Sequence, residues 1–421
     1  MKRREFLHGS MAAAGLMILG SRTAFGYAAN SAVRWGLLGC GKRGSSVAAS
    51  FVKNTDAQLV ALADIFPDQL EKAHTHFDAL NASAGKPVID PKLLFSGYKA
   101  AEELASSDAV DGIQISTPPW FHIDHLETVV SAGKHAYCEK PVGVDVVQTR
   151  RALEVAKRYE GKVSMDVGFQ VRSAPPFAEI VRRIHEGAIG QIASISAHYN
   201  APEATYPDMP GKSADELRLR RWLWDKQLSG DILLEQNIHV IDVCNWIVGA
   251  HPVKATAKSS RKVIKNPGNI SDNYEVIFTY PGDVEMSFSS TQFSGGGYFD
   301  VAERIFGSTG LAEAPYSGPL HIVGQNAWAW SDPANTSAPA KFAADGAFTN
   351  NLALADAVKD RTFIESITSG HFHNQIPQGV DSALSCMLGR RSAELGREVS
   401  WDELAQSTEA YPLGIDISQF R

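Results

Sequence analysis

The feature that most constrains the fold of this chain is a glycine-rich turn, GCGKRG at residues 39–44, directly after an apolar run at residues 33–38. An apolar run, a G-x-G-x-x-G turn and a helix-forming segment follow one another in the order of a strand–turn–helix unit. Gly39 permits the tight turn, Gly41 lets a pyrophosphate approach the backbone, and Gly44 lets the helix pack closely on the strand. Backbone amides at the start of such a helix bind phosphate oxygens. The pattern therefore predicts a dinucleotide site.

An acidic residue stands where this kind of site needs one. Residues 59–63 are apolar and end at Asp64, which lies 20 residues beyond Gly44. A carboxylate at that distance binds the ribose hydroxyls of the adenosine, and it would repel the 2′-phosphate of NADP, so we expect NAD. Lys42 and Arg43 can contact the phosphates, or a 2′-phosphate if the cofactor were NADP. The alternative is an ordinary glycine turn followed by a surface aspartate.

Length, charge and cysteine content narrow the class of protein. A chain of 421 residues is long enough for two domains. A net charge of −7 gives no reason to expect nucleic acid or an anionic membrane as a partner. The four cysteines lack the spacing of zinc ligands and indicate no disulfide framework, and the pair His371 and His373 has no convincing third ligand. We therefore predict no metal site.

The N-terminus has the pattern of an export signal. A basic head with Arg3 and Arg4 precedes a short apolar stretch at residues 11–20, and small residues follow at 24–29. This pattern predicts a twin-arginine-type signal over residues 1–30, a periplasmic or secreted protein and no stable membrane insertion. A disordered basic tail and a retained anchor are the alternatives. Because this route carries folded proteins and free NAD is scarce outside the cytoplasm, we expect a tightly held cofactor that is loaded before export.

Hydrophobic patterning divides the rest of the chain. In residues 31–160 apolar strands alternate with helical segments, which predicts an α/β Rossmann domain with a doubly wound parallel sheet. In residues 161–421 alternating strands predict an α+β domain with a large, open, mainly antiparallel sheet. Such a domain would bind substrate and pair with other copies as a dimer or tetramer. Residues 308–348, rich in Gly, Pro, Ala and Ser, are predicted to form long loops. Helices are predicted at residues 176–187, 234–248, 351–368 and 379–395.

Several motifs together resemble one known family. They are the glycine turn, TPPWFH at residues 117–122, EKP at 139–141, GAIG at 187–190 and a segment at 229–242 that contains His-x-x-Asp. Over essentially everything after residue 32 the chain resembles the glucose–fructose oxidoreductase, inositol dehydrogenase and MocA-type family. The resemblance implies an N-terminal Rossmann domain, a C-terminal open-sheet domain and NAD-dependent hydride transfer on sugars or polyols. It also implies cofactor contacts beyond the glycine turn and Asp64, from Thr117, Pro118, His122, Glu139, Lys140 and Gln170.

Lys140 is the first predicted catalytic residue. It follows a predicted strand at residues 135–138, at the carboxyl end where a nicotinamide ring would lie. A desolvated lysine there can bind the reacting hydroxyl and stabilise developing alkoxide charge. Spacing alone equally allows a surface lysine after a strand, and the family resemblance favours the catalytic role.

A helical pattern supplies the second catalytic group. Glu235, His239, Asp242 and Trp246 recur at spacings of four, three and four, so they share one face of the predicted helix. A carboxylate one turn from a histidine sets its tautomer and basicity, and we therefore expect His239 to be the general acid/base, oriented by Glu235. A histidine buried in the core is the alternative. Family members commonly carry aspartate where this chain has Glu235, which puts the proton path and the substrate in question.

Substrate contacts are predicted from Tyr199, Trp222, His239 and Asp242. Tyr199 ends a strand of the substrate sheet, and aromatic faces such as those of Trp222 and Trp224 stack on pyranose rings. Core packing is the alternative for either tryptophan.

Three functions fit these residues. The first is an exported, NAD-dependent oxidoreductase acting on a sugar or glycoside hydroxyl with a tightly bound cofactor. The second is an NAD-dependent glycoside hydrolase or lyase that oxidises a ring hydroxyl transiently, eliminates the aglycone and reduces the ketone again. The third is a nucleotide-retaining binding protein without turnover, against which the presence of Lys140 and His239 argues.

Overall fold

The structure is a computed structural model that describes residues 32–293, 297–331 and 350–421. The export signal predicted over residues 1–30 lies outside the described residues, as does most of the predicted loop beyond residue 331. Among the described residues no helix combines the length and the apolar character needed to cross a membrane.

Six parallel strands form the first sheet, in the spatial order β3-β2-β1-β4-β5-β6. This order confirms the predicted doubly wound Rossmann sheet. The strands are β1 (Arg34–Leu38), β2 (Gln58–Asp64), β3 (Leu94–Ser96), β4 (Gly112–Ile115), β5 (His135–Cys138) and β6 (Met165–Val167). The helices around it are α1 (Lys42–Asn54), α2 (Pro67–Ser83), α3 (Ala100–Ser106), α4 (His122–Ser131) and α5 (Val146–Tyr159). β6 lies beyond residue 160, where the sequence pattern placed the end of this domain.

Two glycines of the turn after β1 have steric reasons to be glycine. Gly39 has a φ of +96°, and a Cβ there would lie 2.6 Å from the backbone of Ser116. A Cβ on Gly44 would lie 2.0 Å from the carbonyl oxygen of Gly39, so a side chain would push α1 away from β1. Gly39 and Gly44 therefore have the steric roles that the motif predicts, namely the tight turn and the close packing of α1 on β1.

A nine-stranded sheet forms the centre of the second part of the chain, in the order β14-β13-β12-β11-β7-β10-β9-β8-β15. Only β7 and β10 pair in parallel among its described pairs, which confirms a large, mostly antiparallel sheet. The strands are β7 (Ile192–Asn200), β8 (Lys254–Ser260), β9 (Asn273–Tyr280), β10 (Val284–Thr291), β11 (Asp300–Gly307), β12 (Gly310–Pro315), β13 (His321–Gly324), β14 (Trp328–Ala329) and β15 (Val399–Ser400).

Helices cover one face of this sheet and join it to the first domain. The longest, α12, packs against α5 of the first domain and against β8 of the second. Within it the fully buried Arg390 donates to the carbonyl oxygens of Val144 and Gly230, both at 3.0 Å. The helices are α6 (Pro175–His185), α7 (Ala214–Arg220), α8 (Lys226–Ser229), α9 (Ile232–Glu235), α10 (Ile238–Val248), α11 (Ala355–Ser369), α12 (Ile376–Leu395) and α13 (Trp401–Ala405).

Two predictions of secondary structure are wrong. Residues 310–329, expected to be loop, contain β12, β13 and β14, because antiparallel pairing with β11 extends the sheet through residues of weak intrinsic strand preference. The helix expected over 234–248 is broken into α9 and α10 at Gln236 and Asn237. The break matters for function, because it changes what Glu235 can reach.

Candidate active site

Lys140 and Glu235 form an ion pair between the two domains. Lys140 follows β5, at the carboxyl edge of the first sheet, and Glu235 is the last residue of α9. The Lys140 Nζ lies 3.1 Å from Glu235 Oε1 and 2.5 Å from the Glu235 carbonyl oxygen. Both side chains are largely buried, with 11% and 15% exposed. The amine predicted to meet the reacting hydroxyl is therefore fixed by the substrate-side domain.

His239 lies beside this pair, in the first turn of α10. Burial, followed by the charges of Lys140 and Arg43, lowers the pKa of His239 well below its ordinary value. Its Nδ1 is buried and has no hydrogen-bond partner among the described residues. A neutral imidazole near a lysine ammonium can accept a proton from a bound hydroxyl.

Glu235 does not orient His239, although the sequence predicted both side chains on one face of a single helix. The chain breaks helical geometry between them, and the Glu235 carboxylate turns to Lys140 instead. The acid/base group and the carboxylate still lie at one site, but the carboxylate acts on the lysine.

The residues of the break are themselves buried and polar. Gln236 and Asn237 are 8% and 1% exposed. Both polar atoms of the Asn237 amide, and the Gln236 Oε1, lack hydrogen-bond partners in the described part of the chain. Buried amides normally find partners, so these amide groups are available to a bound molecule. The sequence offered a signal for them, since they interrupt the apolar runs on either side.

Asp242 binds side chains of neighbouring segments and is not available to a substrate. Its two carboxylate oxygens accept hydrogen bonds from Arg172 at 2.7 and 2.9 Å, and Ser382 Oγ donates to Oδ1 at 2.7 Å. The side chain is 1% exposed. The predicted substrate contact of Asp242 is therefore wrong, because the carboxylate is already committed to fixing α10.

Arg43 is likewise committed inside the protein. Its guanidinium donates to Glu139 Oε1 at 2.9 Å and to Gln170 Oε1 at 2.8 Å, and it lies 3.9 Å from Asp356. These contacts hold the glycine turn to the residue before Lys140 and to the second domain. Of the predicted cofactor contacts, the side chains of Arg43, Glu139 and Gln170 thus bind one another, while Lys42 is exposed at the turn.

The remaining features of the glycine turn fit a dinucleotide. A Cβ on Gly41 would meet nothing within 4 Å, so the space in front of it is open. Gly41 caps α1 without a side-chain hydrogen bond, which leaves the first amides of the helix to a phosphate. Asp64 is 8% exposed and accepts from the Cys40 and Phe66 amides at 2.7 and 2.8 Å, which aims its carboxylate at the same edge.

The loop after β4 is braced by His122. Its ring nitrogens lie 2.6 Å from the Pro141 carbonyl oxygen and 2.7 Å from the Thr117 carbonyl oxygen, and the residue is 1% exposed. His122 therefore joins the Thr117–Pro118 loop to the loop that carries Lys140. Its side chain positions these loops and does not face a ligand.

The two aromatic substrate candidates lie in different places. Tyr199 is 2% exposed and close enough to Glu235 that burial and that charge together raise the pKa of its phenol. Trp222 packs against the apolar cluster of Phe66, Phe121, Leu219 and Leu228, and Trp224 is buried in the core. The substrate role of Trp222 stays a prediction.

No group of three or more His, Cys, Asp or Glu side chains able to hold a metal ion occurs in the three described segments. All four cysteines are buried and free.

Comparison with known proteins agrees with this two-domain fold. Residues 33–167 match the oxidoreductase family with an NAD-binding Rossmann fold, and residues 177–313 match the GFO/IDH/MocA C-terminal domain. Inositol 2-dehydrogenase from Rhizobium meliloti (strain 1021) is 29% identical over 292 residues, which cover 69% of this chain and 78% of that protein.

Solved structures show the same fold. A levoglucosan dehydrogenase in complex with NADH and levoglucosan superposes with a TM-score of 0.69 at 19% identity, covering 88% of this chain and 99% of that one. An aldose–aldose oxidoreductase from Caulobacter crescentus, complexed with glycerol, superposes with a TM-score of 0.67 at 17% identity, covering 88% and 100%. The two family matches together span both domains, and the chain belongs to the Gfo/Idh/MocA family of NAD-binding oxidoreductases.

Proposed function

We propose that this protein oxidises a hydroxyl group of a sugar, polyol or glycoside, with NAD as the hydride acceptor. The observation that carries the proposal is the meeting of Lys140, Glu235 and a neutral His239 at the carboxyl end of β5. The names of similar proteins, an inositol dehydrogenase and a levoglucosan dehydrogenase, support a polyhydroxylated substrate.

Each residue has a distinct task in this reaction. Lys140, held by Glu235, binds the hydroxyl oxygen and stabilises the negative charge that develops on it. His239 takes the hydroxyl proton, and the hydride leaves the same carbon, so the alcohol becomes a ketone. NAD, bound over the glycine turn and Asp64, supplies the two-electron acceptor when present.

The cofactor assignment is NAD and not NADP. Asp64 stands at the end of β2, where its carboxylate would face the ribose hydroxyls and repel a 2′-phosphate. Of the two cations at the glycine turn, Arg43 is bound to Glu139 and Gln170, while Lys42 is exposed. Equilibrium binding of NADH and NADPH to the purified protein tests this, with much tighter binding of NADH expected.

A second function deserves a direct comparison, namely redox-assisted cleavage of a glycoside. After oxidation of a ring hydroxyl, a base must remove the acidified neighbouring proton, and an acid must protonate the departing aglycone. Three proton carriers, Lys140, Glu235 and His239, lie close enough together to share these steps. Such a cycle returns NAD to its starting state and needs no external electron acceptor.

One experiment separates the two functions. The purified protein is incubated with myo-inositol and free aldoses, and in parallel with p-nitrophenyl glycosides. Formation of NADH and a keto product supports oxidoreduction. Release of p-nitrophenol without net NADH supports cleavage. If bound NAD is present and neither reaction occurs across both panels, the enzymatic proposal is wrong and the chain is a nucleotide-retaining binding protein.

We also propose export through the twin-arginine route, with the cofactor loaded beforehand and retained. The support is the basic head with Arg3 and Arg4 and the apolar stretch after it. Fractionation of cells that express the full chain should place the protein outside the cytoplasm, and Arg3→Lys with Arg4→Lys should keep it inside. Light scattering of the purified protein tests the proposed dimer or tetramer.

A further inference from the structure

An apolar cluster lies beyond the carboxyl ends of β2 and β4. Its buried members are Phe66, which follows β2, Phe121, which follows β4, and Leu219 and Leu228 from the second domain. In the order of the first sheet, β2 is separated from β5 by two strands. Phe66 therefore lies on the Asp64 side of the site, two residues beyond that carboxylate, while Phe121 follows β4, which neighbours β5.

Arg220 of α7 connects the second domain to Phe66 and to the start of α2. Its guanidinium carbon lies 3.8 Å from the centre of the Phe66 ring. The same group donates to both carboxylate oxygens of Asp68, at the start of α2, and to Glu216 at 2.8 Å. Only 5% of the Arg220 side chain is exposed. A stacked and doubly paired guanidinium holds α7 against the turn directly after Asp64.

The C-terminal segment 409–421, here called the strap, crosses the same edge. Trp120 Nε1 donates to the Tyr411 carbonyl oxygen at 2.7 Å, and the Tyr98 amide donates to the Phe420 carbonyl oxygen at 2.9 Å. The Phe420 ring meets the Phe66 ring edge-on at 5.6 Å. The strap thus passes the ends of β4, β2 and β3, which are the carboxyl ends where a dinucleotide binds in such sheets.

We propose that α7 and the strap form the outer wall of the adenosine half of the NAD site and slow the release of the nucleotide. The inference rests on the proposed function, since it needs NAD bound over the glycine turn. An apolar wall excludes water from the ribose and adenine, and the nucleotide leaves only when the wall opens. Because Phe420 and Arg220 both press on Phe66, each is expected to contribute to the closed arrangement.

The test is the dissociation rate of NADH from the purified full-length protein, followed by the fall in nicotinamide fluorescence after mixing with excess NAD. Loss of one aromatic contact should make release from Phe420→Ala about tenfold faster, with the number of nucleotide sites unchanged. The matched control is Phe306→Ala, a half-exposed phenylalanine on β11, which should release NADH at the wild-type rate.

A second variant guards against a folding defect. Arg220→Lys keeps a cation near Asp68 but removes the planar stack on Phe66, and it should also speed release. If both variants bind NADH and release it at the wild-type rate, the wall has no role in retention and the inference is wrong, while the proposed function stands. If the wild-type protein binds no NADH at all, the proposed function and the inference fail together.

Discussion

Replacement of Glu303 by glutamine should remove a large part of the pH dependence of stability. Glu303 lies on β11 and is fully buried, with Ala197 and Ala314 beside it on the neighbouring strands. Neither carboxyl oxygen has a hydrogen-bond partner among the described residues. Burial therefore raises the pKa of Glu303 well above its ordinary value, so the folded chain holds this proton to a higher pH than the unfolded chain does.

The sign of the effect follows from proton linkage. The unfolded chain releases this proton near pH 4.3, whereas the folded chain retains it, so the unfolded state binds fewer protons above that pH. The free energy of unfolding then falls by about 1.4 kcal/mol for each unit of rising pH until the folded pKa is reached. Wild type should therefore lose stability from this group as the pH rises above about 5.

Urea unfolding followed by tryptophan fluorescence measures the difference. The stability of Glu303→Gln should depend less steeply on pH than that of wild type, by up to that slope, because glutamine does not titrate. The control is Glu103→Gln, an exposed glutamate on α3, which should follow the wild-type slope. Equal slopes for wild type and Glu303→Gln would refute the reasoning, since they would mean that Glu303 ionises inside the folded protein at no cost.

Three further predictions concern the site. Asp242→Asn should lower the free energy of unfolding by about 3 kcal/mol and reduce kcat, with little change in substrate KM, because it breaks the buried pair with Arg172. Unchanged stability with a raised KM would mean that Asp242 contacts the substrate. Because the pKa of His239 is lowered, its titration should not change kcat/KM for oxidation between about pH 6 and 8. A pH profile of kcat/KM with a step near 6.5 would contradict this. Arg43→Met should lower thermal stability but leave the preference for NADH over NADPH unchanged, because the Arg43 side chain binds Glu139 and Gln170. Binding titrations with both nucleotides measure this preference, and a changed preference would show that Arg43 contacts the nucleotide.

The sequence was most informative where local rules decide the structure. The steric roles of Gly39 and Gly44 and the end of β5 before Lys140 depend on a few neighbouring residues, and the structure places them as predicted. These elements need no knowledge of distant contacts.

Contacts between residues far apart in the chain could not be predicted from the sequence. Arg43 meets Glu139, 96 residues away, and Lys140 meets Glu235, 95 residues away, and nothing in either local pattern shows these partners. The two polar residues Gln236 and Asn237 are visible in the sequence, but the break there could not be predicted because the apolar residues on both sides keep helical spacing. For the same reason the role of Asp242 was misjudged, since its partner Arg172 comes from another part of the chain.

The most direct test of the catalytic arrangement is a single-turnover measurement on Lys140→Met with bound NAD, in which the appearance of reduced nicotinamide is followed by absorbance. The substrate is one that wild type oxidises. If the Lys140 amine holds the reacting oxygen, the variant should bind NAD with wild-type stoichiometry and reduce it about 10²–10⁴-fold more slowly. Reduction at the wild-type rate would contradict the account, because the amine beside Glu235 would then have no part in the chemistry.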